Sequence, residues 1–220
     1  MANKNYYLVI DTETANGLDC PMVYDIGGAV IDKHGNIYET FSYVVYDVFC
    51  LMKDLMQTAY YAEKIPRYEA EIAEGTRTIA QLSTIRKKVL EILDKYHITA
   101  VIAHNMRFDY NALNNTLRYL TKSKVRYFFP YNTAIWCSLA MAKSTIANQK
   151  TYRMWCADRG YTLRNGTPRL TAEILYRFIT QDETFIESHT ALEDVLIETL
   201  IFVRCVRQHK KMQRTYWKTA

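Results

Sequence analysis

The sequence predicts an α/β fold on three observations. Strand-like segments follow one another near the N-terminus, the apolar period then switches from two to 3.6, and short apolar strands afterwards alternate with helix-forming stretches. Tyr6 to Asp11 reads as a buried strand, Val23 to Asp32 as a second and Ile37 to Tyr46 as a third. The turn signal His34-Gly35-Asn36 joins the last two, so the three form a meander. A helical region is expected from about Val48 to Ala73, interrupted at Pro66, where the backbone loses a donor. A clearer helix from Ile79 to Tyr96 carries Ile79, Leu82, Ile85, Val89, Ile92 and Leu93 on one face. Thr99 to Ala103 is a short apolar strand, Met106 to Leu120 a helix and Thr133 to Cys137 another short strand. Beyond Ser138 the chain reads as helical except around Gly160 to Pro168. Repeats, low-complexity stretches and Pro- or Ser-rich linkers are absent.

With 220 residues and 49% apolar content, one sizeable core is expected, hence a single domain over residues 1–203 and a short extension over 204–220. The five cysteines, Cys20, Cys50, Cys137, Cys156 and Cys205, form no Cys-x-x-Cys pair, which disfavours a zinc knuckle and a disulfide framework. The apolar runs are short and broken by charge, and the first residues lead straight into a strand. The expectation is a soluble cytoplasmic protein without membrane attachment. Net charge is +5, and after Glu198 the only charged residues are Arg204, Arg207, Lys210, Lys211, Arg214 and Lys218. Such a basic end suits phosphates, and it equally suits the negative end of a helix dipole.

Side chains alternate along a strand, so Asp11 and Glu13 leave the first strand on the same side, at its carboxyl end, where open α/β sheets keep their ligands. Paired carboxylates suit Mg2+, a hard cation, better than Zn2+. Asn105 follows the strand Ala100 to His104 and reads as the N-cap of the next helix, which puts Asp109 just past its first turn. Thr190-Ala191-Leu192-Glu193 has the form of a capping box, placing Asp194 one turn into its helix and His189 just outside. A histidine there is free to take a proton from an activated water. Each of these residues has an ordinary reading on its own: helix-terminus acids and a surface histidine. Taken together, in this order and these settings, they point to one site.

These residues resemble the DEDDh 3′-to-5′ exonuclease family, which includes proofreading exonuclease subunits. Leu8-Val9-Ile10-Asp11-Thr12-Glu13-Thr14 resembles its first motif and His104-Asn105-Met106-Arg107-Phe108-Asp109 its second. His189-Thr190-Ala191-Leu192-Glu193-Asp194 resembles the third, with the histidine five residues before the aspartate. Tyr24-Asp25-Ile26-Gly27-Gly28-Ala29-Val30 is similar to the family's second strand, with Asp25 where a glutamate is commoner. The resemblance spans about residues 6 to 203 and implies an RNase H-like fold with a mixed five-stranded sheet flanked by helices. It further implies two divalent ions, Mg2+ with Mn2+ as a substitute, held by Asp11, Glu13, Asp109 and Asp194, with His189 as general base. Nucleoside monophosphates would be released from the 3′ ends of single-stranded DNA.

Thr12 and Thr14, flanking the acids, suit contact with the terminal nucleotide and equally suit hydrogen bonding at the strand end, and Asn105 suits either the nucleotide or the helix cap alone. Phe108 reads as core, with base stacking as its alternative. Tyr152, Trp155 and Tyr161, interleaved with Lys150, Arg153, Arg159 and Arg164, are the best aromatic candidates for a strand-binding surface. Three other readings remain at this stage. One is an exoribonuclease acting on short RNA, since the 2′-OH contact cannot be read from sequence. Another is a subunit bound to a DNA polymerase or other replication partner, acting mainly by binding. The last, a haloacid-type phosphatase, wants an aspartate where Glu13 stands.

Overall fold

The computed structural model describes residues 5–121 and 124–215. Its sheet has six strands: β1 (Tyr6–Ala15), β2 (Met22–Asp32), β3 (Ile37–Val45), β4 (Ile79–Ala80), β5 (Ala100–Ala103) and β6 (Ile135–Cys137), in the order β4-β3-β2-β1-β5-β6. β2 runs antiparallel to β1 and β3, whereas β1–β5, β5–β6 and β3–β4 are parallel, so the sheet is mixed. The meander turns at Gly35, whose φ of 89° a residue with a Cβ would resist. Asp32 fixes that turn by accepting from the backbone N–H groups of His34 and Asn36, the Asn36 amide and the Tyr38 hydroxyl.

The helices are α1 (Tyr46–Phe49), α2 (Lys53–Met56), α3 (Ile65–Ala73), α4 (Leu82–Lys95), α5 (Arg107–Leu120), α6 (Ser138–Ser144), α7 (Lys150–Asp158), α8 (Ala172–Thr180) and α9 (Ala191–Val206). Two expectations fail here. Ile79 belongs to a strand: with Ala80 it pairs with Val44 and Val45, which gives the sheet its sixth strand in place of the expected five. A two-residue strand is too short to show a period of two, and its apolar residues merge with the helical stripe that follows. The stretch 48–73 is not one interrupted helix but α1, α2, a 3-10 turn at Ala62–Lys64 and α3, and Pro66 lies in the first turn of α3, where its missing N–H costs nothing.

Alternation along the strands divides the core into two layers. Leu8, Ile10, Val30 and Val44 join Ile85, Val89 and Ile92 of α4 and Leu113 of α5 in one cluster. Tyr7, Val9, Ala29 and Ile31 on the opposite face join Leu175 of α8 and Val195, Ile201 and Phe202 of α9. Tyr152 and Trp155, expected on a strand-binding surface, are buried in this second layer, where the ring of Phe178 meets both edge-on. Helical spacing put them on the inner face of α7. Tyr161, half-buried beside them, accepts a hydrogen bond from Arg177.

α9 continues through Val206, so the residues from 204 begin inside a helix whose Val203 and Cys205 are buried. The chain then returns to the edge of the sheet. Cys137 N–H donates to the Arg214 carbonyl, and the Arg214 guanidinium lies 4.2 Å from the centre of the Trp136 ring. This covers the otherwise unpaired edge of β6. Lys218 lies outside the described residues. Among the described residues no helix is long and apolar enough to cross a membrane.

Candidate active site

The site begins with two glycines in β2. A Cβ on Gly27 would lie 2.4 Å from the Leu192 backbone nitrogen, and one on Gly28 would lie 2.3 Å from the Phe41 ring. Gly27 therefore lets the N-terminus of α9 settle directly on the sheet. Gly27 pairs with Asp11 and Asp25 pairs with Glu13, so the landing point of α9 is next to the two acids of β1. Carboxylate oxygens of Asp11, Glu13 and Asp194 fall within 4.8 Å of one another as a result, and one ligand atom each from Glu187, His189 and Asp194 does the same.

Asp109 reaches the cluster from the other layer. Thr12, on the opposite face from Asp11, donates its hydroxyl to Asp109 Oδ1 at 2.8 Å and ties α5 to β1. The structure thus gathers all five residues singled out by sequence, Asp11, Glu13, Asp109, His189 and Asp194, along one cleft of about 730 Å³. Phe108, Asn105, Leu139, Leu163, Leu170, Lys143 and Arg169 line it further.

The supporting residues divide. Thr12 lines the cleft, but its hydroxyl is taken by Asp109. Thr14 does not line the cleft; the β1–β2 register shifts between Glu13 and Thr14. Asn105 is not the N-cap of α5. It sits in a turn at φ 66° and Met106 takes the cap position, with the Met106 side chain fully buried. Met106 thereby fills the core place expected for Phe108, which is half-buried and faces the cleft. Thr190 does cap α9, but its hydroxyl donates to the Glu193 carboxylate instead of completing a reciprocal box with the backbone.

Glu198 is an acid the sequence reading passed over. Four residues beyond Asp194 on α9, it is 3% exposed and accepts from the His104 backbone N–H at 2.9 Å. The i,i+4 spacing was the available signal, since it puts both acids on one helix face. His104 is held in turn by Ser138 Oγ at its Nδ1 and the Leu170 carbonyl at its Nε2, and burial pushes its pKa down to about 4. Tyr61 and Lys64 are also at the site, from the segment between α2 and α3, and no motif announces them.

So many carboxyls in one buried place resist ionisation. Burial pushes Glu13 up to about 9, with Asp194 and Asp25 adding repulsion and Lys64 opposing it. Asp194 rises to about 8 by burial and the nearby Glu187, and Asp109 to about 7 by burial against the hydrogen bond from Thr12. Asp11 stands well above the carboxylate range because burial, Glu198, Asp109, Glu13 and Asp194 all act in one direction. Asp194 Oδ1 is buried without a hydrogen-bond partner. An all-oxygen set of repelling acids with an orphaned buried oxygen fits hard divalent cations, which would supply the missing positive charge.

No protein-family model and no curated protein sequence matches the chain. Solved structures do. The nuclease domain of 3′hExo, a DEDDh family member bound to rAMP, superposes with a TM-score of 0.57 at 13% identity, covering 98% of each chain. A full-length 3′-exonuclease gives 0.54 at 14% identity over 97% of this chain and 86% of that one. The E. coli exonuclease I complex with single-stranded DNA gives 0.51 at 12% identity over 94% of this chain and 41% of that one. At these identities the likeness is one of fold: an α/β, RNase H-like architecture shared with DEDDh exonucleases.

Proposed function

We propose that this chain is a metal-dependent 3′-to-5′ exonuclease. Asp11, Glu13, Asp109 and Asp194 would hold two divalent ions, Mg2+ or Mn2+. The observation that carries this reading is the meeting of carboxylates from β1, α5 and α9 in one cleft, where burial and mutual repulsion keep them short of a counter-charge. When bound, the cations would polarise the scissile phosphate and offset charge on the attacking and departing oxygens of an in-line displacement. His189 takes the proton of the attacking water. Burial and then Lys64 push its pKa below the usual histidine value, so the imidazole is neutral and able to accept at neutral pH. Thr12 holds Asp109 in place. Phe108, Leu139, Leu163 and Leu170 offer apolar surface to an unstacked terminal base, and Lys143 and Arg169 offer charge to its phosphates.

That lining favours a single-stranded 3′ end, because bases within a duplex have neither face free to stack. The fold neighbours support the reading: one holds rAMP and another single-stranded DNA. The test is digestion of single-stranded DNA and RNA oligonucleotides labelled at either end, with Mg2+ or with EDTA. Early release of a labelled mononucleotide from the 3′ end, stopped by EDTA, is expected, and the faster of the two sugars assigns the substrate. Undiminished cleavage in EDTA, or release from the 5′ end while the 3′ label stays intact, would overturn the proposal.

A further inference from the structure

His189 is placed by an unusual local arrangement. Its backbone is in the left-handed region at φ 50°, in the loop before α9, a conformation that costs energy for a residue with a side chain. The Lys64 ammonium donates to the Ser188 carbonyl at 2.6 Å and to the His189 carbonyl at 3.2 Å, which secures the main chain of that loop. The imidazole itself lies flat on the ring of Tyr61, with centroids 4.3 Å apart and planes 15° from parallel. The same ammonium sits 4.2 Å from the centre of the Tyr61 ring and so binds shelf and loop into one unit. Glu187, the nearest acid to the imidazole, stands 3.9 Å from Nδ1, beyond hydrogen-bonding distance. Among the described residues, the stack on Tyr61 is the ring contact that fixes the plane of the imidazole.

We propose that Tyr61 is a positioning residue for His189, a shelf that holds the imidazole plane so that one ring nitrogen faces the acid cluster. The inference rests on the nuclease reading above for the proton transfer, and on geometry alone for the shelf. A base rotated about its side-chain bonds no longer reaches the water, so loss of the shelf forfeits part of what a placed base contributes.

Three variants test it: Tyr61→Ala, Tyr61→Phe and the double variant Tyr61→Ala with His189→Ala. Tyr61→Ala should lower kcat about 10- to 100-fold with KM within about twofold, a fraction of the effect of a placed base. Tyr61→Phe, which keeps the ring, should recover most of that loss. In the His189→Ala background, Tyr61→Ala should cost almost nothing more, because the residue acts through the histidine. Equal losses in both backgrounds, a loss confined to KM, or no recovery with Phe would each overturn the proposal and leave Tyr61 as a substrate contact or a structural ring. A readout free of activity accompanies these: stacking should displace the His189 ring-proton resonances upfield in the parent and in Tyr61→Phe, and not in Tyr61→Ala. An active parent lacking this displacement refutes the shelf alone. A parent that cleaves no nucleic acid although the displacement is present refutes the nuclease reading instead, and with it the role in proton transfer.

Discussion

Glu13 and Asp25 face each other across β1 and β2 on the same side of the sheet, yet they belong to opposite kinds of region. Asp25 is fully buried, and three donors converge on its Oδ2 while its Oδ1 has no hydrogen-bond partner. The Tyr68 hydroxyl gives it a hydrogen bond at 2.7 Å, Arg77 pairs with it at 3.2 Å, and the Ala191 N–H at the start of α9 adds a third contact at 3.3 Å. Burial pushes its pKa up, and these three partners oppose the rise. Arg77, which also lies 4.2 Å over the Tyr68 ring, is held charged by Asp25 and Glu71 against its own burial. Glu13, directly opposite, is pushed up by burial and three neighbouring carboxylates, Asp194, Asp25 and Asp109, and opposed by Lys64. One acid completes a structural knot, while the other belongs to a cluster with an excess of acceptors. A buried carboxylate matched by donors supports a fold, and one surrounded by further carboxylates creates a demand for cations.

The sharpest way to break this comparison is to delete one acid of the cluster. Asp194→Ala or Asp11→Ala should reduce nuclease activity to background, while the melting temperature without metal stays level or rises, because repulsion is relieved. A large fall in the metal-free melting temperature would show that these acids support the fold as Asp25 does.

Within the same region, His189→Ala should lower turnover by about 10² to 10⁴-fold and leave divalent-ion affinity, measured by titration calorimetry, close to that of the parent. The parent's rate should rise with pH as the imidazole loses its proton, with a midpoint below the ordinary histidine value since burial and Lys64 depress it. Retention of the same pH limb at near-parent turnover in the variant would make His189 a bystander.

Asp25→Ala should do the reverse of Asp194→Ala. Removing the carboxylate leaves the Arg77 charge and the Tyr68 hydroxyl without their buried partner, at a cost of about 3 to 5 kcal/mol in urea unfolding. A loss below about 1 kcal/mol, in the range of a surface substitution, would remove the contrast between the two regions.

The smallest effect is on stability against pH. Folded pKa values near 9, 8 and 7 for Glu13, Asp194 and Asp109 exceed the ordinary carboxylate values. Their contribution is therefore complete at acid pH, below the unfolded pKa, and is lost as pH rises through about 7 to 9. Without metal, the melting temperature should decline across that window. Saturating Mg2+ should reverse the decline, adding about 2.7 kcal/mol at a hundredfold excess over Kd. Glu39 runs the other way: hydrogen bonds from Lys95 and Lys88 push it down to about 2, so its contribution is present above the ordinary value of 4.5 and lost as pH falls. A metal-free stability that rises between pH 7 and 9 would contradict the arrangement of the acid cluster.

The sequence by itself determined the α/β class and the meander and singled out Asp11, Glu13, Asp109, His189 and Asp194 as candidates, because each depends on local rules: alternation along a strand, a helix start, short spacings within a motif. The order of these motifs along the chain implied a common site, and the structure brings them to one cleft. Only the tertiary structure decided the rest. That Gly27 is the landing point for α9, that Asp25 meets Tyr68 and Arg77, that Glu198 closes on His104 and that Tyr61 lies under His189 all depend on pairs far apart in sequence. The sixth strand is not legible in the sequence for a related reason: β4 pairs through Ile79 and Ala80 with the edge that Val44 and Val45 offer. The same holds for Tyr152 and Trp155, since periodicity shows that a helix has an apolar face without showing whether that face meets the core or a ligand. Long-range packing decides which acids find donors and which must wait for a cation, and no local pattern encodes it.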